Sequence, residues 1–370
     1  MEKKLCALLL TLTFLVGGLV SPLEVTAQRR GGRRTGQSRA LSSNAITARF
    51  YQVADAYLRG SYAFNPTRAT ALGLHEYDRA LESRSRESVA REVRRLRTAL
   101  AELARIWEPG LTPEARYDYL VLASHARGQL LELEEIRMWQ RDPNIYNRLA
   151  AASIDNILKR NYAPIEQRLD ALLARERQIG RLLDEARANL ETPPRIYTEM
   201  ALSQVRGSIE FFSSVVPQMF ERAGGGRLSA ERKAEFEATN QSVIASLKSF
   251  LEWLERDLLP RSTGGFAIGP ENYRRKLLYD EMLETPVGQL IRDGERELRR
   301  THEEMRALAE EIAPGKGVVF ALNALGREQP TADGLVGETR TELDRIRAFI
   351  RTQRILTPPE RENLTVAETP

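Results

Sequence analysis

Apolar residues recur at alternating steps of four and three through much of the chain, the spacing that lines one face of a helix. Val89, Val93, Leu96, Leu100, Leu103 and Trp107 form one such stripe. Ile165, Leu169, Leu172, Ile179, Leu183, Ala186 and Leu190 form a second, and Phe236, Val243, Leu247, Phe250, Leu254 and Leu258 a third. A fourth runs through Val287, Ile291, Leu298, Met305, Leu308 and Ile312. Each stripe is narrow and flanked by charge, so each helix has one face to bury against its neighbours. The pattern predicts an all-α fold, an array of long antiparallel amphipathic helices. Glu176 interrupts the second stripe where an apolar residue is due. It either sits at the stripe's edge or is buried, and a buried carboxylate needs a partner, for which the abundant arginines are the first candidates.

Local punctuation fits the same picture. Thr112-Pro113, Asp142-Pro143 and Thr285-Pro286 each place a capping oxygen before a proline. Proline suits a first helical turn because its missing N–H has no intrahelical partner there. Breaks fall at Pro109-Gly110, Pro193-Pro194, Gly224-Gly225-Gly226, Pro314-Gly315 and Pro358-Pro359. Two short stretches read as β elements or tight connectors instead: residues 264–269, with glycines around Phe266 and Ile268, and residues 363–367 near the end. Ser262–Gly269 lacks the Gly-Lys-Ser/Thr ending of a phosphate-binding loop.

The start of the chain reads as a secretory leader. Lys3 and Lys4 precede the apolar run Leu5–Val20, and Val25-Thr26-Ala27 has the small residues of a cleavage site. The expected organisation is a signal peptide over 1–27, a flexible basic linker over 28–43, a helical domain over 44–357 and an extended segment over 358–370. The expected location is the periplasm or outside the cell, with no transmembrane anchor left after cleavage. The only cysteine, Cys6, belongs to the leader, so the mature chain offers neither a disulfide nor a thiolate.

Charge follows this division. The formal net charge is +4, yet residues 28–40 alone hold Arg29, Arg30, Arg33, Arg34 and Arg39 with no acid. The body that follows is nearly neutral, which argues against a nucleic-acid partner, since such proteins cluster positive charge on a folded face.

Candidate chemistry is sparse. His75, His125 and His302 are the three histidines, and two of them precede a glutamate, His75-Glu76 and His302-Glu303. A helical zinc motif needs a second histidine one turn on, so that both rings meet one metal. Arg79 and Arg306 stand at those positions instead. His302 reads as solvated helix surface, and His125 as a hydrogen-bonded core or boundary residue. No Gly-x-Ser-x-Gly elbow is present, and adjacent acids such as Glu134-Glu135 point apart on a helix. No catalytic residue, metal ligand or cofactor is therefore assigned to this chain. His75, Asp78 and Tyr273 are the candidates for a cleft that takes a peptide or another component of the cell envelope.

The block Asn65–Leu81, read with Tyr117-Asp118-Tyr119-Leu120, Asp142-Pro143-Asn144-Ile145-Tyr146 and Asn161-Tyr162-Ala163-Pro164, resembles a bacterial family called domain of unknown function 885. The later landmarks Ile268-Gly269-Pro270-Glu271-Asn272-Tyr273 and Val366-Ala367-Glu368-Thr369-Pro370 follow in the same order. Members of that family look like secreted helical zinc peptidases whose motif is His-Glu followed by Pro-Gly-His. Neither Pro109-Gly110 nor Pro314-Gly315 is followed by histidine. The resemblance thus implies the N-terminal scaffold part of such a protein, truncated before the metal-bearing region and inactive alone. Zinc is implied only for full-length members. The alternatives are one half of a split peptidase, whose C-terminal partner is encoded downstream, and a periplasmic binding module.

Overall fold

The computed structural model describes residues 35–327, 330–359 and 364–367, with side chains from Ser43 onward. The leader over 1–27, Asn363 and Glu368–Pro370 lie outside the described residues. The fold is all-α: among the described residues there is no sheet, only an isolated parallel bridge between Pro194 and Gly264. The chain divides into two compact units, Met1–Leu283 and Glu284–Pro370. This boundary falls inside the stretch 44–357 that the sequence marks as one helical domain.

The first unit opens with α1 (Thr35–Phe64), α2 (Pro66–Ala71) and α3 (Arg86–Ala104), followed by α4 (Pro113–Leu130) and α5 (Met138–Arg141). Helix α1 begins inside the stretch whose composition reads as linker. Then come α6 (Asn144–Lys159), α7 (Ile165–Asn189), α8 (Arg195–Glu210), α9 (Val216–Arg222), α10 (Ala230–Trp253) and α11 (Pro270–Asp280). The second unit contains α12 (Val287–Ile312), α13 (Gly317–Leu325) and α14 (Leu335–Gln353).

A large packing centre and two smaller ones organise the first unit. The larger is built from α6 to α10, where Ile154, Ile157, Leu169, Leu172, Leu183, Phe212 and Phe250 are all fully buried. The smaller centres join α1, α3 and α4 through residues such as Phe50, Leu103, Ala123, Tyr57 and Leu96. The first three stripes seen in the sequence are the faces that meet here, whereas the fourth lies in the second unit and contributes to none of these centres. The third stripe stays in phase past α10 because the helix continues as a π turn, Leu254–Leu258, which keeps Leu254 and Leu258 buried.

The differences from the sequence pattern have local causes. Trp107 continues the first stripe on paper, but α3 ends at Ala104, and Trp107 lies beyond it, 57% exposed. Thr112 caps α4 by accepting from Ala115 N, and Asp142 accepts from Asn144 N at 2.9 Å, as their prolines suggest. Helix α12 begins with no side-chain cap, so Thr285 does not fill that role. Residues 264–269 form a connector, not a strand: Gly264 N donates to Pro193 O at 3.1 Å, and Arg141 holds Gly265 O. A Cβ at Gly264 would collide with the Thr192 carbonyl, so this close approach requires glycine. Residues 364–367 form no strand either; Arg340 donates to Val366 O at 3.0 Å.

Glu176 is buried, at 3% exposure, between α7 and α10. No arginine is hydrogen-bonded to it among the described residues. Its partner is the Thr239 hydroxyl, and Glu176 Oε1 has no hydrogen-bond partner among the described residues. The second stripe therefore passes through this carboxylate rather than beside it.

Candidate functional site

The block 66–82 is a compact turn structure, and its polar groups bond mainly to one another. Pro66 opens α2, where its missing N–H costs nothing. Gly73, at φ +88°, turns the chain out of α2, a left-handed conformation that favours glycine. A single 3-10 turn, His75–Tyr77, then returns the chain. Glu82, 2% exposed, closes the block by accepting from Thr67 N at 3.1 Å and from Thr67 Oγ1 at 2.5 Å. It thereby caps the first turn of α2 from outside the helix.

Asp78 is the centre of the site. Its Oδ1 accepts from Thr70 Oγ1 at 2.7 Å and its Oδ2 pairs with His75 Nδ1 at 3.0 Å. With Asp78 ionised, this pairing puts the shared proton on Nδ1 and leaves Nε2 as the ring's other polar edge. The imidazole stacks on Tyr162, with ring centroids 3.7 Å apart and planes 8° from parallel. Burial, followed by the neighbouring Asp78, pushes the Tyr162 phenol pKa well up. Its hydroxyl is buried but closes no well-formed hydrogen bond among the described residues.

Beneath this lies Arg175, from α7, completely buried. Its guanidinium donates to Thr70 Oγ1 at 2.5 Å, Ser153 O at 2.7 Å and Ala80 O at 3.0 Å. Longer bonds reach Pro66 O and Tyr77 O, both at 3.4 Å. Burial lowers its pKa, while the carboxylates of Glu82 and Asp78 act in the opposite direction. A planar fork with five donors can join several carbonyls at once, which explains why arginine stands here.

Of the three candidate cleft residues, the structure joins His75 to Asp78. Tyr273 belongs to α11, which packs along α4 and its following π turn, Leu131–Ile136; Ser124 on α4 bonds Tyr279 O at 3.0 Å. Two open grooves of about 430 and 480 Å³ lie along α1, sharing Arg49 and Glu102 in their linings. Neither is lined by His75, Asp78 or Tyr273. His125 is tied into the small packing centre by Tyr57, whose hydroxyl lies 2.6 Å from Nδ1. His302 is exposed on α12.

Sequence reasoning passed over Arg175 and Glu82. A signal for Arg175 was present: it lies three residues after Leu172 and four before Ile179, on the buried face of the stripe. A zinc ion, which the family resemblance implies only for full-length members, does not suit the donor set around His75. Nδ1 is taken by Asp78, Arg79 stands one turn on, and the buried Arg175 cation lies beneath. Among the described residues, no three of His, Cys, Asp and Glu converge so as to hold a metal ion.

This is an all-α protein in which, among the described residues, a histidine–carboxylate pair is seated on a buried arginine. The chain belongs to the family described as "Bacterial protein of unknown function (DUF885)", whose profile matches residues 66–370. A solved structure from Shewanella oneidensis, described as a "putative lipoprotein of unknown function", shares the fold with a TM-score of 0.68 at 24% identity. That similarity covers 87% of this chain and 60% of the Shewanella chain. No curated protein matches.

Proposed function

We propose that this chain is an exported helical scaffold of a zinc-peptidase-like family, carrying no complete catalytic constellation of its own. One observation carries the reading. The buried polar groups of the 66–82 block, Thr67, Thr70, Asp78 and Glu82, bond to one another, to His75 or to the buried Arg175, which reaches five acceptors at the base of the block. A catalytic centre needs a nucleophile or activated water beside its base, and Asp78 and Thr70 are instead committed to holding the fold. The residues that would hold zinc belong, on this reading, to another stretch of polypeptide, for which a neighbouring gene is the alternative source.

Export is supported by the basic-then-apolar start and small-residue cleavage site. No helix among the described residues is long and apolar enough to cross a membrane. Production in a bacterial host should yield a chain beginning near Gln28 in the periplasmic fraction; retention of residue 1 would count against export. Purified mature protein should show no chelator-sensitive hydrolysis of peptides with zinc added. Zinc-dependent turnover would overturn the scaffold reading. The split arrangement is checked by translating the DNA downstream for His-Glu followed by Pro-Gly-His.

A second reading, a binding module for a peptide or other envelope component, rests on His75. Its ring is fixed by Asp78 and Tyr162 yet remains about a third exposed. Saturable binding lost in His75→Ala, with an unchanged melting temperature, would favour it. Asp78→Ala is unsuitable for this test because Asp78 also holds Thr70.

A further inference from the structure

Consecutive residues of α4 fasten it to two different helices. Ser124 Oγ donates to Tyr279 O on α11 at 3.0 Å, and His125 Nδ1 lies 2.6 Å from the Tyr57 hydroxyl on α1. The rings of the second pair meet edge to face, with centroids 5.9 Å apart and planes at 85°. Tyr57 is 2% exposed and belongs to the small packing centre that includes Leu96 and Ala126. Its hydroxyl bonds to His125 and to no other group among the described residues.

The direction of this bond follows from burial. The hydroxyl hydrogen must go to Nδ1, because turned elsewhere it would be stranded away from water. Burial also holds the Tyr57 phenol pKa up at about 12, so the oxygen keeps its proton. Nδ1 is therefore the acceptor, and Nε2 carries the ring proton. A second proton can enter only at Nδ1. Donor would then face donor, and the hydroxyl would have to point its hydrogen at nothing.

The surrounding charges oppose that second proton. Arg68 on α2 and Arg95 on α3 both disfavour it, and Arg95 also lies over the Tyr57 ring, 5.1 Å from its centroid. Arg95 is held there by both oxygens of Glu92. From α11, Asp280 favours the charged ring, but it is shared with Lys276 at 2.5 Å. Glu132, on the π turn after α4, stands near the same Lys276. Residues 121–129 of α4 itself include Arg127 and no acid. A released tyrosine has somewhere to go: the open groove of about 430 Å³ along α1 is lined by Tyr57 itself, with Val53, Ala56, Arg95 and Ala99.

We propose that the Tyr57–His125 pair is an acid-sensitive latch between α1 and α4, in which a proton at Nδ1 breaks the bond and Tyr57 turns out into the groove beside it. The latch lies in the first unit and is independent of the reading of the 66–82 block. Hydrogen exchange of the mature protein, followed by mass spectrometry at about pH 7.5 and about pH 5 and corrected for the chemical rate, tests it. Opening of residues 50–64 and of Pro113–Leu130 should rise roughly tenfold for each pH unit between the proton affinities of the ring in the open and closed states. Exchange in Ile165–Asn189 should not rise with it, and hydroxyl-radical labelling of Tyr57 should increase over the same range. His125→Asn places an oxygen near the position of Nδ1 and does not ionise, so it should remove the response. The proposal is overturned by a wild-type chain with no acid response, by an equal response in every helix, by a Tyr57 that stays unlabelled, or by the same response in His125→Asn. Should that variant not fold, the wild-type ring decides: nitrogen NMR shifts should show a bare Nδ1 and a protonated Nε2 at neutral pH, and the opposite tautomer would rule the latch out.

Discussion

Arg175 Nη2 and Thr70 Oγ1 are joined by a 2.5 Å hydrogen bond, and the same hydroxyl donates to Asp78. A fully buried cation is thereby linked, through one threonine and one carboxylate, to the partly exposed ring of His75. The linkage spans α7, α2 and the 3-10 turn, so the block 66–82 is fastened to the main packing centre by polar bonds as well as apolar contact.

Arg175→Met is expected to be among the most damaging single changes in this unit. It removes the charge but strands the carbonyls of Ser153, Ala80 and Pro66. Each buried acceptor left unsatisfied costs about 1–3 kcal/mol. Arg175→Lys should recover little, because an ammonium cannot hold the same fork of acceptors. Urea unfolding followed by circular dichroism measures both; a loss below about 1 kcal/mol in Arg175→Met would show that the network is incidental.

Asp78→Ala and His75→Ala should separate. Asp78 is 5% exposed and satisfies Thr70, so its removal leaves a buried hydroxyl without its acceptor, at about 1–3 kcal/mol. The His75 ring is partly solvated, and its loss should cost about 1 kcal/mol or less. Equal melting temperatures for the two variants would contradict this ordering.

The stripes made the helices legible, and the fourth stripe matches the bounds of α12 at both ends. Periodicity identifies a face but not its occupant, so it did not distinguish the buried stripe of α7 from the exposed one of α12. The site was legible in part. His75 and Asp78 are three residues apart, and local spacing suffices to pair them. Arg175 lies 105 residues from Thr70, a contact that depends on how α2 packs against α6 and α7. Glu176 was visible as an interruption, but its threonine partner lies on another helix, 63 residues away.

His125 should stay neutral below the usual histidine range. Burial lowers its pKa first, and the nearby Arg68 adds to this. The unfolded chain therefore takes up the proton at a higher pH than the folded one. The corresponding stability is present above the unfolded histidine pKa, near 6.5, and is lost as pH falls through the folded value. A two-dimensional NMR titration of the ring, assigned with His125→Gln, measures it; a midpoint at or above 6.5 would contradict the expected direction.

Glu176 should make the protein less stable as pH rises, opposite in sign to His125. Burial without a cationic hydrogen-bond partner pushes its pKa up from 4.5 to about 8. Between those values the folded chain holds a proton that the unfolded chain has released. Stability from this group is thus fully present below about pH 4.5 and declines as pH climbs towards 8. Glu176→Gln keeps an amide that can bond Thr239 and does not ionise. Relative to it, the wild-type chain should lose on the order of 3 kcal/mol between pH 4.5 and pH 7, since a tenfold difference in proton affinity between the folded and unfolded chains is worth about 1.4 kcal/mol. Parallel denaturation series on the two proteins isolate the contribution of Glu176, because every other titrating group is common to both. A stability difference that does not change with pH would mean that Glu176 is ionised in the folded protein, held by water or by a rearranged cation.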